Sequence, residues 1–249
     1  EQADADNQFP NQLWTKLGDM GLLGVTVSEQ YGGSDMGYLA HTIAMEEVSR
    51  ASGGIGLSYG AHSNLCVNQI FKNGNDAQRE KYLPKLATGE WVGCFGLTEP
   101  DHGSDATHME TVAHRDGDDW VISGVKTWNT GVHAAHSDMV MARTSGSAGD
   151  AQGITAFLVP MDAAGVEIEE YLWTFNMPSD HARVRFNSVR VPDEAIFGGE
   201  GRGLQVVQHF FNENRIRQAA SSLGAAQYCV DQAVAHAKER KPFGKALAT

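Results

Sequence analysis

The chain has 249 residues, of which 41% are hydrophobic and 20% charged, and its 31 acidic against 19 basic side chains leave a net charge of -12. That length holds one large core or two modest ones, and an acidic chain with no Lys/Arg stripe excludes a nucleic-acid backbone as partner. No apolar run approaches the roughly 18 to 20 residues of a membrane span, and the opening EQADADNQFP lacks the basic and apolar regions of a signal peptide.

From Asn11 to about Gly89 apolar residues recur at helical spacing: Leu13, Leu17 and Met20, then Leu39, Ile43 and Val48, then Leu65, Ile70 and Phe71. Gly32-Gly33, Gly53-Gly54 and Gly74 punctuate them, so residues 1–90 are expected to form an all-α N-terminal domain. Between Trp91 and Pro192 the period becomes two. WVGCFGL, METVAH, WVISGVKTW after the turn Asp116-Gly117-Asp118-Asp119, DMVMART, ITAFLV and ARVRFNSVRV read as strands of an antiparallel sheet, in a middle domain over 91–200. From Gly203 a helix of roughly thirty-five residues carries Leu204, Val207 and Phe211 on one face and is rich in Ala from Ala219 to Ala237. A domain this small cannot cover it, so 201–249 is expected to open a C-terminal helical bundle. The fold class is α+β and multidomain. Cys66, Cys94 and Cys229 are too few and too far apart for a disulfide framework or a zinc site, and read as buried thiols.

Two stretches carry the chemistry. Cys94 to Asp105, CFGLTEPDHGSD, offers hydroxyls at Thr98 and Ser104, a small-residue turn around Gly103 and many backbone N–H donors, as a polyanionic cofactor requires. Lys126 to Thr130, KTWNT, adds an indole and a hydroxyl. Together they resemble the flavin-binding loops of the acyl-CoA dehydrogenases, and the resemblance runs over essentially the whole chain. It implies a helical domain, a β-domain and a four-helix bundle lying mostly beyond Thr249. It also implies FAD as cofactor, with Phe95, Leu97 and Thr98 along the isoalloxazine, Trp128 covering the ring, Thr130 addressing N5 and Ser104 shared with the acyl-CoA. The family writes the second motif more often as W-I-T-N, where this chain has Trp128-Asn129-Thr130-Gly131, and His102 stands where a small residue is usual.

On the long helix, FNENRIRQAASSLGAAQ resembles the family segment that faces CoA, which maps Asn212 and Arg215 as substrate-binding. Pattern alone would have Arg215 and Arg217 solvating a helix face. ERKPFGK resembles the element whose Arg and Phe, here Arg240 and Phe243, contact the FAD of a neighbouring subunit, implying a homodimer or homotetramer. The catalytic base is expected beyond Thr249. The alternative family position, immediately before the CoA-binding Arg, is Asn214, which takes no proton, and Glu213 is turned about 100° away around the helix, a lesser candidate. GLSYGAHSNLCVNQI resembles isovaleryl-CoA dehydrogenases, whereas GCFGLTEP and METVAH resemble glutaryl-CoA dehydrogenases. The latter bind a distal carboxylate with an Arg in the segment that is Ile55 to Ser58 here, and Gly56 in its place favours an apolar acyl group.

The resemblance therefore implies dehydrogenation of a short, branched or medium acyl-CoA to a trans-2-enoyl-CoA. Electron-transferring flavoprotein would be the acceptor, in the cytoplasm of a prokaryote or the mitochondrial matrix of a eukaryote. An acyl-CoA oxidase using oxygen, or an incomplete binding fragment, is the alternative. Gly56-Leu57-Ser58-Tyr59-Gly60 fits a serine-hydrolase elbow, but follows a helical segment rather than a strand. Gly199-Glu200-Gly201-Arg202-Gly203 reads as a tight turn rather than a dinucleotide fingerprint. His133 and His136 read as a solvated loop rather than a metal site, and Glu46 and Glu47 as exposed charge.

Overall fold

A computed structural model describes residues 2–6, 8–174 and 180–248. Helices α1 (Gln2–Asp6), α2 (Gln12–Asp19), α3 (Gly37–Ala51) and α4 (Gly53–Gly60) come first. Helix α4 runs without a break through a π-helical segment, Ala61–Asn68, into α5 (Gln69–Asn73), and α6 (Asp76–Ala87) follows. Helix α6 starts on a reciprocal cap, in which Gln78 N donates to Asn75 Oδ1 at 2.8 Å and Asn75 N to Gln78 Oε1 at 3.2 Å. The Gln78 amide also donates to the carbonyls of Glu194 and Ile196, fastening the helix to the sheet.

The buried helix faces differ from the apolar spacing. Helix α2 buries Trp14 and Leu17 and leaves Met20 71% exposed. Helix α3 buries His41, Met45 and Ser49, while Leu39 is 74% exposed and Ile43 55%. The reason is close packing against the long helix α7 (Gly203–Glu239): Ser49 Oγ donates to Ser221 Oγ at 2.9 Å, and a Cβ on Gly224 would sit 2.0 Å from the Glu46 carbonyl oxygen. Only small side chains allow that approach, so apolar bulk on α3 faces outward.

Among the described residues eight strands, β1 (Val92–Gly96), β2 (Val112–Asp116), β3 (Asp119–Thr130), β4 (Ala135–Arg143), β5 (Ile154–Pro160), β6 (Val166–Tyr171), β7 (His181–Pro192) and β8 (Ile196–Phe197), form one sheet in the order β6-β7-β3-β2-β4-β5-β8, with β1 paired to β4. The sheet is antiparallel except that β1 and a single residue of β2 pair parallel with one edge of β4. Strand β6 is absent from the expected set because its alternation of Val166 and Ile168 with Glu167 and Glu169 stops at Glu170, and β8 because it has only two residues. METVAH becomes a strand only from Val112.

Alternate residues of β4 point into two cores, as the pleat requires. Met139 and Met141 join Val67, Ile70, Leu83 and Leu86 of the helices and Val207 and Phe210 of α7. Val140 and Ala142 join Ile122, Phe157, Val184 and Phe186 behind the sheet. The turn into α7 uses Gly198, Gly199 and Gly201 at φ of 70°, 104° and 72°, where side chains would be strained. Helix α7, 37 residues long, is packed as far as Gly224, beyond which Tyr228, Val230 and Val234 are exposed.

Candidate functional site

The two motif stretches are bolted together beneath the surface. Strand β1 delivers Leu97 to Glu99, strand β3 delivers Lys126 to Thr130, and the Thr127 N–H donates to the Thr98 carbonyl at 2.8 Å. Lys126 Nζ, fully buried, donates to Glu99 Oε1 at 2.7 Å and to the Leu97 carbonyl at 3.2 Å. Glu99 in turn accepts the backbone N–H groups of Glu110 and Thr111 at 2.5 and 2.9 Å. Burial works against both charges. Lys126 and these donors nonetheless hold the Glu99 carboxyl below its ordinary range, while burial pushes the Lys126 ammonium down against the pull of Glu99. The loop between is closed by Glu99 and His102, each donating its N–H to the other's carbonyl, and the His102 ring lies outward against His108.

Above this bolt the β3–β7 register slips between Lys126 and Asn129. At the slip Trp128 takes a φ of 63°, unusual for a bulky residue, and its indole is turned out of the sheet, 49% exposed between buried Thr127 and Asn129. Asn129 Nδ2 donates to Asp138 Oδ2 at 2.5 Å. Burial pushes the Asp138 carboxyl up to about 7 against Cys94, Lys126, Asn129 and Gly96. Thr130 Oγ1 lies 2.9 Å from His181 Nδ1.

A groove of about 220 Å³ opens between this surface and α7. Phe95, Leu97, Thr98, Thr127, Trp128 and Thr130 line one side, and Ala61, Leu65, Phe210, Phe211 and Asn214 the other. The Phe95 and Phe210 rings meet edge-on at 4.8 Å. Five of the eight residues expected at the cofactor, Phe95, Leu97, Thr98, Trp128 and Thr130, therefore share one groove. Ser104 lies on the exposed loop outside it. Three larger clefts among the described residues, about 560 Å³ at Phe9 and Trp173, about 480 Å³ at Ser145 and Asp150 and about 330 Å³ at Trp91 and His136, contain none of these residues.

Helix α7 divides its polar residues between three settings. Arg215 Nη1 donates to Asn212 Oδ1 at 3.2 Å on the exposed face. Glu213 faces the N-terminal helices, ion-paired with Lys72 and accepting from Asn68 Nδ2 at 2.8 Å and Gln69 Nε2 at 3.0 Å, and is absent from the groove lining. Asn214 lines the groove, and its Oδ1 accepts from Nε and Nη2 of Arg217 at 2.8 and 2.5 Å. Arg217 is buried, not the solvated residue its pattern suggests. Far along the helix, Arg240 and Phe243 are exposed, Phe243 at a φ of 57°.

Other expectations change. Ser58 lies within α4, ahead of the π-helical segment, and donates to the Asp180 carboxylate, so the strand-to-helix elbow of a hydrolase is absent there. His133 and His136 are packed rather than solvated: His133 lies on Phe9, and His136 stacks on Trp91 and accepts the Val92 N–H. Cys229 is exposed, unlike Cys66 and Cys94. Glu46 is half-buried at the α3–α7 contact, whereas Glu47 is exposed. Lys126, Glu99 and Asp138 are the structural residues to which the sequence pattern assigns no role. An ammonium inside an otherwise buried strand was the available signal for Lys126.

The chain is similar to known proteins along its whole length. Models of the acyl-CoA dehydrogenase N-terminal, middle and C-terminal domains match residues 1–90, 94–189 and 201–249. The mitochondrial isovaleryl-CoA dehydrogenase of Oryza sativa subsp. japonica is 42% identical over 247 residues, 98% of this chain and 60% of that protein. The structure of butyryl-CoA dehydrogenase from Megasphaera elsdenii superimposes with a TM-score of 0.95 at 32% identity, over 100% of this chain and 66% of that one. A glutaryl-CoA dehydrogenase from Mycobacterium smegmatis, in complex with FADH2, gives a TM-score of 0.91 at 31% identity, over 100% and 62%. The chain thus spans about 60% of the length of the curated relatives it matches.

Proposed function

The chain belongs to the acyl-CoA dehydrogenase family, and from that premise we propose that its protein is an FAD-dependent enzyme removing two hydrogens from an acyl-CoA thioester to leave a trans-2-enoyl-CoA. The observation that carries this reading is the groove itself, in which both motif stretches face the aromatic pair of α7. Its donor set fits a flavin: hydroxyls at Thr98 and Thr130, one projecting indole, and apolar walls from Phe95 and Leu97. Bound FAD would supply the hydride acceptor. Thr98 and Thr130 would hydrogen-bond its polar edge, Trp128 would cover the ring, and Phe210 and Phe211 would keep water from the acyl chain. Ser104 would bridge cofactor and thioester, Asn212 and Arg215 would hold CoA, and Arg240 and Phe243 would reach the FAD of a neighbouring subunit in a homodimer or homotetramer.

Proton abstraction needs a base at the acyl α-carbon. Asn214 has none to offer and the Glu213 carboxylate is committed to Lys72, so we assign the base to the part of the relatives' length that this chain does not span. We assign electron-transferring flavoprotein as the acceptor.

An absorption spectrum and an anaerobic titration of the full-length protein with isovaleryl-CoA, butyryl-CoA and octanoyl-CoA test this reading. The expected result is a flavin band that bleaches and ranks the acyl chains. A colourless protein that takes up no FAD overturns it. Reoxidation by oxygen at a rate matching the flavoprotein acceptor would move the assignment to an oxidase. Trp128→Ala should weaken FAD retention by about tenfold, or about 1.4 kcal/mol, read by equilibrium dialysis. Unchanged retention removes Trp128 from the cofactor site.

A further inference from the structure

Arg217 is a buried cation without an anion among the described residues. It is 3% exposed, its Nε and Nη2 donate only to the neutral Asn214 oxygen, and its Nη1 is buried with no partner among the described residues. The guanidinium lies on Gly60, where a Cβ would come 2.5 Å from Nη1. The titratable groups facing it, Tyr38 and His41 on α3, give no counter-charge: burial raises the Tyr38 phenol and lowers His41 to about 4, so both are neutral near pH 7. Glu213, on the same helix, is held by Lys72, Asn68 and Gln69. Burial lowers Arg217 only to about 10, so it stays charged. A desolvated cation left in that state is costly, and an arriving anion would relieve the cost. The same bonds orient Asn214: its oxygen is taken by Arg217, which leaves the Nδ2 amide as the donor it can offer to the groove.

Resting on the dehydrogenase reading, we propose that Asn214 and Arg217 form a carboxylate-recognition site in the acyl groove, Asn214 donating the hydrogen bond and Arg217 supplying the charge behind it. Two sources present that chemistry: the distal carboxylate of a dicarboxylic acyl-CoA, and a carboxylate side chain that the rest of the polypeptide brings to the groove. Gly56 does not decide between them, because a Cβ there would strike Ser49 Oγ at 2.2 Å and the position faces α3.

The test uses the full-length protein as wild type, Arg217→Met and Asn214→Asp, the last placing a carboxylate on the guanidinium in advance. Anaerobic flavin bleaching is followed with glutaryl-CoA and isovaleryl-CoA from about pH 5.5 to 9. If the carboxylate belongs to the substrate, the glutaryl over isovaleryl ratio of kcat/KM falls about tenfold or more in both variants. If it belongs to the polypeptide, the apparent pKa of bleaching rises by about one unit in both variants with both substrates, since a neighbouring cation has been removed or neutralised. An unchanged ratio together with an unchanged pKa overturns the proposal. Should Arg217→Met fail to fold, Asn214→Asp alone carries the same two readouts. Wild type that bleaches with no acyl-CoA fails the dehydrogenase reading instead. The site is then judged by equilibrium binding of glutaryl-CoA against isovaleryl-CoA, and an equal ratio in wild type and both variants overturns it.

Discussion

Lys126 and Arg217 are both cations buried within reach of one groove, yet they are satisfied in opposite ways. Lys126 has a carboxylate at 2.7 Å, a carbonyl beside it and strand β7 paired along its backbone. Arg217 has a neutral amide, a glycine surface and one nitrogen with nothing to bond among the described residues. A closed charge pair behaves as scaffold, holding two loops at a fixed spacing whatever binds above them. An open one keeps an unmet electrostatic demand, and such demands concentrate where a ligand completes them. On the proposed reading, the contrast separates what would hold a flavin-binding surface in place from what would tell one acyl group from another.

The closed pair gives the largest expected effect. Lys126→Met leaves Glu99 charged and buried, and should lower stability by about 3 to 5 kcal/mol in urea titration. Adding Glu99→Gln removes the stranded charge and should recover part of that loss, so the two changes are strongly non-additive. Strict additivity would mean that the pair is not the bolt described.

Asp138 is a buried carboxylate close to the same bolt, and its signature is a pH slope. Its pKa is raised from 3.8 to about 7, so the folded chain holds a proton there that the unfolded chain has released. The stability this brings is full below the unfolded value and is lost as pH rises through the folded one. Urea titrations at pH 5 and pH 8 should show a decline that Asp138→Asn reduces by about 3 kcal/mol, on roughly 1.4 kcal/mol per unit over the two units from pH 5 to about 7. Equal declines in both proteins would show that Asp138 is ionised throughout.

Much of the scaffold was legible, because alternation in DMVMART and ITAFLV is a direct image of a strand with two covered faces. Strand β6 was not, since its alternation stops after four residues at Glu170 and its side chains are mostly exposed. The face of α3 was misread for a related reason: Leu39 and Ile43 are spaced as a buried stripe, but contact with α7 is governed by what Ser49, Ser221 and Gly224 leave out. At the site, resemblance supplied the residues expected at the cofactor, while the bulge that turns Trp128 outward is a register event invisible in a linear string. The burial of Arg217 could not be read from α7 at all, because Gly60 on another helix makes the room.

Gly60→Ala is therefore the mildest way to disturb the open cation without removing it. The new Cβ would fall 2.5 Å from Nη1, 2.8 Å from Cδ and 3.0 Å from Cζ of Arg217, too close to be absorbed by the tip alone. The guanidinium must shift, and in a packed interior that costs about 1 kcal/mol, to be read as a lowered urea midpoint with an unchanged slope. Displacement also breaks the paired bonds to Asn214 Oδ1 and frees the amide to turn over, so its oxygen can face the groove instead of its donor. The variant should then follow Arg217→Met in direction, in its acyl-CoA preference or its bleaching pKa, although the arginine is still present. Wild-type behaviour from Gly60→Ala, with Arg217→Met altered, would mean that charge alone matters and that the orientation of Asn214 does not.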